Sequence, residues 1–451
     1  MKNGVLLRTS WILALAGLVP SARATADDWP QLQHDAGHTG HTADPGPAGG
    51  KILWEYDLNR ETVGKPGQPV VAAGKVYLGS NAGILRCFDA ADGNVLWQYK
   101  AKSPIFHTAA VEQRRVFFAD LAGYFCALDA ESGKELFVFE GGLPGFSAAV
   151  VLGEGRVFLG RRDGLFYCLD QQTGKKVWCV DLGASIFMTA AYYDGLVYVG
   201  SEDMIFRALD AKTGKEVWKT PKLCGLGFFW YWPVVHRGRV VALTMEEPNV
   251  PGVFNAVDPQ GYAKWEELKR SLKDARYVRH EQVPYVKENL AHDQQKIAQW
   301  LAIHPKYQTF YVFDAKTGKQ PYFAPVVPAA TNTNLMFPPI VLADGALGTF
   351  YSGTHLFHDS WHEFYGRFDV EIGRIVERTG GCTRDQTMAH SSGGKRVFFA
   401  GDALNHVLES TPHLKNVRTI RSFTQSGQGS MAIVGKRLYY VESDVLFCCG
   451  E

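Results

Sequence analysis

One feature restricts this chain more than any other: a stretch of sequence that returns every forty residues or so. Four segments align without gaps, beginning with Ile84-Leu-Arg-Cys-Phe-Asp-Ala-Ala-Asp-Gly93 and continuing at 125–133, 166–174 and 206–214. Their aspartates Asp89, Asp129, Asp170 and Asp210 step by 40, 41 and 40 residues. That is the length of one four-stranded propeller blade, and too long and too rich in strand formers for a short-repeat solenoid. In each Asp-x-x-x-Gly turn the aspartate accepts backbone N–H bonds and the glycine takes positive φ before the next strand. Four residues after the glycine comes a large ring, Trp97, Phe137, Trp178 or Trp218, placed to pack across the gap to a neighbouring blade. Upstream runs such as Val157-Phe-Leu-Gly160 and Val197-Tyr-Val-Gly200 have the β-branched and aromatic composition of strands.

Later blades diverge but keep the order. A fifth is read at 232–236, 239–244 and 309–314, a sixth at 337–342, 347–351 and 364–369, and a seventh at 388–391, 396–400, 406–410 and 417–421. The last supplies three strands only, 430–434, 437–441 and 445–449. Its fourth is expected at the other end of the chain, where Ile52-Leu-Trp-Glu-Tyr-Asp-Leu58 sets Trp54 in the place of Trp97 and Trp218. The expected fold is therefore all-β: an eight-bladed propeller of four-stranded antiparallel blades, occupying 51–451 and closed by pairing its terminal strands. Closure removes open sheet edges.

Residues 1–26 read as a signal peptide, with basic Lys2 and Arg8, an apolar run from Trp11 to Val19, and small Ala22, Ala24 and Ala26. The apolar run is shorter than the roughly 20 residues of a membrane span. Cleavage near Ala24 or Ala26 would leave no cysteine to carry a lipid, so a periplasmic or secreted protein with no membrane span and no lipid anchor is expected. Residues 27–50 form an extension before the propeller. A net charge of +1 provides no footprint for nucleic acid. Of eight cysteines, Cys87 and Cys168 stand where another repeat has Ala208, and are read as small core residues.

With Val197-Tyr-Val-Gly-Ser201 and Ala208-Leu-Asp-Ala-Lys-Thr-Gly-Lys-Glu-Val-Trp218, the chain resembles the pyrroloquinoline-quinone-like (PQQ-like) repeat propellers. The opening Trp29-Pro-Gln31, with Asp35 and Thr39-Gly40, is similar to the segment that precedes them. The resemblance covers essentially the whole chain after the signal peptide. It implies one of two kinds of protein. Quinoprotein alcohol dehydrogenases hold PQQ with a calcium ion bound by Glu, Asn and Asp, use an aspartate base, and stack the quinone between a tryptophan and a disulfide of adjacent cysteines. Other members carry no cofactor, among them an outer-membrane assembly lipoprotein that acts as a scaffold. Cys448-Cys449 is an adjacent pair here, but it falls in a strand, where neighbours point to opposite faces.

In a propeller the D-to-A and B-to-C connections emerge on one face. An aromatic precedes most inner strands there: Phe106, Phe146, Phe187, Trp230 and Phe337, which either ring the channel mouth as a ligand platform or pack between blades. The B-to-C connection of blade five is expanded over 245–308, with Trp265, Leu268, Leu272 and Ala275 at helical spacing, then Pro284 opening a stretch with Val286, Leu290, Ile297 and Leu301. A two-helix insertion is expected, either capping the mouth, docking a partner or clasping the propeller. On the same face His355, His358 and His362, with Asp359 and Glu363, are of the residue types that bind transition metals. His34, His38 and His41 are expected on the opposite face.

No acid–base pair, nucleophile constellation or full cofactor set assembles from these residues. The leading reading is a non-catalytic binding or scaffold propeller with a protein partner or small ligand in the cell envelope. The alternatives are a PQQ- or metal-dependent oxidoreductase and an enzyme acting on a polysaccharide.

Overall fold

The computed structural model describes residues 28–64, 66–229, 231–245, 290–326, 337–351, 364–378, 389–400, 406–410, 418–422, 431–442 and 444–451. Eight sheets make an eight-bladed propeller, antiparallel throughout except that the two-residue strand His41–Thr42 joins the inner edge of blade seven in parallel. Counting strands A to D outward from the channel, blade one has Val70–Ala72, Lys75–Gly79, Ile84–Asp89 and Val95–Lys100. Blade eight is closed as expected: Lys51–Asp57 is its outer strand, paired antiparallel with Val445–Gly450 from the far end of the chain. Blade five has three hydrogen-bonded strands among the described residues.

The turn aspartates act as the repeat implied. Asp170 Oδ1 accepts the N–H of Thr173 at 2.8 Å and its hydroxyl at 2.7 Å, and Asp210 holds Thr213 by the same pair of bonds. Those bonds hold both carboxyls below the usual carboxylate range. The glycine that ends each turn is where a neighbouring ring docks. Trp54 lies over Gly93, Trp97 over Gly133, Phe137 over Gly174, Trp178 over Gly214 and Trp218 over Gly318, each so near that a Cβ at the glycine would meet the ring within 2.8 Å. The indoles also donate across the gap, Trp54 to Ala90 O, Trp97 to Ala130 O, Trp178 to Ala211 O and Trp218 to Ala315 O, at 2.9–3.1 Å. Blade five continues the series with Tyr322, which packs on Gly373 and donates to Val370 O.

A bulge sits one residue before the ring position in every outer strand that pairs. Leu96 is skipped between Val95 and Trp97, Leu136 between Glu135 and Phe137, Val177 between Lys176 and Trp178, and Val217 between Glu216 and Trp218. Blades eight, six and seven skip Leu53, Val376 and Ile420 at the same place. Two residues opposing one bends the strand and re-aims its side chains, here turning the ring toward the next blade and leaving an aliphatic group on the rim. Leu96, Leu136, Val177, Val217 and Val376 are accordingly 46–49% exposed.

Of the insertion in blade five, one helix is described, Leu290–Ile303, here α1. Ile297 and Leu301 are buried and pack with Trp300, Tyr307 and Phe323. Its most telling contact is polar: the buried Gln294 amide donates to Ile375 O at 2.9 Å and accepts the Ile375 N–H at 2.6 Å. Ile375 belongs to the outer strand of blade six, Arg374–Arg378, so one glutamine takes the place of a further strand on that edge. Among the three readings of the insertion, α1 is thus a clasp on the rim. The expected first helix, with Trp265 to Ala275, lies outside the described residues. Replacing Gln294 by alanine orphans two backbone groups at a buried contact, at a cost of about 1–3 kcal/mol. Hydrogen exchange checks it: the Ile375 amide should exchange faster while the Val177 region is unchanged, and an unaltered Ile375 would refute the clasp.

Candidate functional site: the channel and its two ends

Three of the described D-to-A connections first drop an apolar residue against the end of strand B. Ile105, Ile186 and Phe228 fill the space that a side chain would take at Gly79, Gly160 and Gly200. Phe146 is the counterpart between blades two and three: it is 1% exposed and packed with Phe117, Phe125 and Tyr167, so it belongs to the core and not to the mouth. The residues that follow, Phe106 and Phe187, are half-buried. Phe187 stacks on Phe229 with centroids 6.2 Å apart and planes at 14°, and the Arg162 guanidinium lies over the Phe187 ring, 5.7 Å from its centre. Phe337 packs instead on Trp232 at 5.5 Å. Trp230, His355, His358 and His362 lie outside the described residues.

Phe229 was not singled out from the sequence. It is one of five consecutive aromatics, 228–232, and its φ of 37° is left-handed, unusual for a bulky residue. Glu202 fixes this turn, its carboxylate accepting the Phe228 N–H at 3.1 Å. Burial pushes the Glu202 carboxyl above its ordinary range. Arg162, Phe187, Phe229 and Glu202 thus gather over blades three to five.

Buried near the inner strands is a hydrogen-bonded group of His107, Thr108 and Thr189. His107 Nε2 is 3.3 Å from Thr189 Oγ1, and burial, with His38 nearby, pushes His107 down to about 3. Thr189 Oγ1 accepts the Ala149 N–H and Thr108 Oγ1 the Gln68 N–H, both at 2.9 Å.

The opposite end is closed by the extension. Residues 29–46 run as a strap past the A-to-B turns and meet the blades in order. The N–H of Val71 donates to Trp29 O, Val111 to Pro30 O, Leu152 to Gln31 Oε1, Tyr192 to Ala36 O, Val235 to Gly37 O, Val341 to Thr39 O and Ser392 to Gly40 O, at 2.7–3.2 Å. These seven donors occupy one equivalent position in the inner strands of blades one to seven. Blade eight is met at Gly435, whose N–H donates to Asp44 Oδ2 and whose carbonyl accepts from Gly46. Trp29, Leu32 and His38 are 0% exposed. Asp35 folds the strap by accepting the Gly37 N–H at 2.9 Å and the Thr39 hydroxyl. Burial works to raise the Asp35 carboxyl, but the His34 ring beside it and the bonds from Thr39 hold it low. His38 spans from Leu32 O at 2.9 Å to Ala190 O at 2.7 Å, and burial pushes its pKa down. His34, His38 and His41 therefore lie away from the aromatic mouth, and among the described residues no three His, Cys, Asp or Glu side chains form a metal-holding group.

The cysteine pair is split by its strand. Cys448 lies opposite Tyr439 and Cys449 reaches the Tyr440 hydroxyl at 3.6 Å, on the other face, and both remain thiols. Cys87 and Cys168 are fully buried, as small core residues are, and burial pushes both thiols up to about 12.

Repeat, ring docking and terminal closure together define a PQQ-like repeat β-propeller. The family model described as outer membrane protein assembly factor BamB matches residues 41–147 and 141–337, more than half of the chain, and the protein belongs to that family. Among solved structures it is similar to BamB from Moraxella catarrhalis, at 16% identity and a TM-score of 0.58 over 89% of this chain and 97% of that one. It is similar also to the quinohemoprotein alcohol dehydrogenase of Comamonas testosteroni, at 13% identity and a TM-score of 0.62 over 95% and 82%. At such identities the likeness is one of fold. Among curated proteins, the dehydrogenase subunit of the quinone alcohol dehydrogenase of Gluconobacter oxydans is 33% identical over 95 residues, 19% of this chain and 12% of that protein. The quinoprotein ethanol dehydrogenase of Pseudomonas aeruginosa is 36% identical over 80 residues, 15% and 13%. The chain therefore matches about an eighth of the length of these relatives.

Proposed function

We propose that the protein is an exported, non-catalytic binding or scaffold propeller that presents a ligand or protein-partner site on the face with the D-to-A and B-to-C connections. The strap carries this reading. It takes up the inner-strand amides at one end of the channel, so approach is left to the mouth where Arg162, Phe187 and Phe229 stand. A stacked aromatic pair with a guanidinium on it suits a flat or anionic group of a partner. The BamB description of the family supports a partner in the cell envelope, and the pattern of residues 1–26 supports export. No helix among the described residues is long and apolar enough to cross a membrane.

The quinone reading rests on the names of the short-matching relatives. The cysteine pair gives that reading no support, since Cys448 and Cys449 fall on opposite faces of their strand. A photo-crosslinker at position 162 should capture one envelope component, and the same group at position 217 on the rim should not. The capture should fall at least about tenfold in Phe187→Ala. Equal capture at both positions refutes the site, and stoichiometric uptake of PQQ and calcium, read by absorbance and metal analysis, refutes the non-catalytic reading.

A further inference from the structure

We infer that the ring of inner-strand amides is a peptide-binding site, and that residues 28–49 are its ligand, held by recognition and not by their covalent link to the propeller. This inference stands apart from whatever the aromatic mouth binds. Three observations lead to it. The contacts are those of a ligand meeting a repeating receptor: one equivalent donor from each of seven blades, each satisfied by an acceptor of the strap in chain order. The strap is also anchored by side chains placed as if in pockets, with Trp29 and His38 fully buried and the Gln33 N–H donating to Gln68 Oε1 at 2.7 Å. Finally, the link to the propeller is slight. Between Gly46, bonded to blade eight, and the outer strand Lys51–Asp57 stand four residues; Pro47 O still accepts from Arg396 at 3.1 Å, but a side chain at Gly49 would meet nothing within 4 Å.

The chemistry of the ligand follows from the site. It must offer acceptors, mostly backbone carbonyls, at intervals matched to the blades, an indole at position 29, and a residue at position 40 able to hold positive φ. Gly40 has φ 61°, and a Cβ there would stand 2.6 Å from Gln33 Oε1 and from Ile340 Cγ2. Main-chain recognition of this kind gives affinity, and a few side-chain pockets give choice of sequence, as when an extended peptide joins a sheet edge.

The test uses the whole chain with a protease site inserted between Gly49 and Gly50. After folding and cleavage, the released 28–49 segment should co-elute with the propeller in gel filtration. A fluorescein-labelled 28–49 peptide added in excess should then enter the complex, read as a saturable rise in anisotropy. The Gly40→Val peptide should bind at least about tenfold more weakly, since β-branching at a left-handed position is costly. Loss of the cleaved segment on the column with no uptake of label, while circular dichroism reports an intact propeller, overturns the proposal. Uptake of the Gly40→Val peptide with unchanged affinity overturns it equally, because binding would then not depend on the fit described.

Discussion

Trp218→Ala should lower the stability of the propeller by about 3–5 kcal/mol, the range for removing a large aromatic from a packed core. The indole is 8% exposed, its ring centre lies 5.9–6.2 Å from those of Tyr198, Phe206 and Phe313, and Nε1 donates to Ala315 O at 2.9 Å. Removing it opens a cavity between blades four and five and leaves the turn carbonyl with one donor fewer, although the Tyr198 hydroxyl still reaches it at 3.2 Å. Trp218→Phe keeps most of the packing and forfeits the bond, and should cost about 1–2 kcal/mol. Urea unfolding followed by circular dichroism measures both. If the alanine variant fell within 1 kcal/mol of the parent, the ring would be packing on the surface of the turn rather than joining blades.

A chain stopped after Glu442 should fail as a monomer. It lacks Val445–Gly450, the strand that carries the fully buried Leu446 and Cys448 and joins Lys51–Asp57 to the remainder of blade eight. The loss strips both neighbours of a row of backbone partners, and its expected size is of the order of the net stability of a whole domain, about 5–15 kcal/mol. The two unpaired edges would then seek partners in other molecules. Light scattering should report oligomers or aggregate, whereas a chain lacking only the exposed Glu451 should behave as the parent. A monomeric truncated chain that melts cooperatively at the parental temperature would show that the strap and inter-blade rings close the ring without help.

The parts of the fold legible in sequence are those encoded by side chains at fixed spacing. Gly93, Gly133, Gly174 and Gly214 each predict a ring four residues on, and the same rule applied to Gly318 finds Tyr322, which lay unread only because the residues around it no longer look like a strand. The rule fails at Gly373, where the fourth residue is Glu377, engaged by Arg367 at 2.7 Å. The mouth was harder to read. Phe106, Phe146 and Phe187 look alike in sequence, but the connections before them differ, and a shift of one residue puts Phe146 in the slot of Ile105 and Ile186. Phe229 stands within an unbroken aromatic run, 228–232, where no polar residue marks the phase.

The strap was the least legible part, for a physical reason. Trp29, Asp35 and Thr39-Gly40 could be noticed as a similarity, but the blade amides are met for the most part through backbone carbonyls of the strap. A backbone acceptor is present at every residue, so the contacts that arrange the strap leave no periodic signature in the sequence.

That arrangement also sets an order in time. The strap is made before any blade, yet the separation between partners widens along it, from 45 residues between Asp28 and Ala73 at blade one to 391 between Asp44 and Gly435 at blade eight. Contacts so distant in sequence reward the chain only after long loops have been closed, and topologies dominated by them fold slowly. Residues synthesised before every blade are thus among the last to find their places. Until the eighth blade exists, they wait as an open thread beside an unfinished ring.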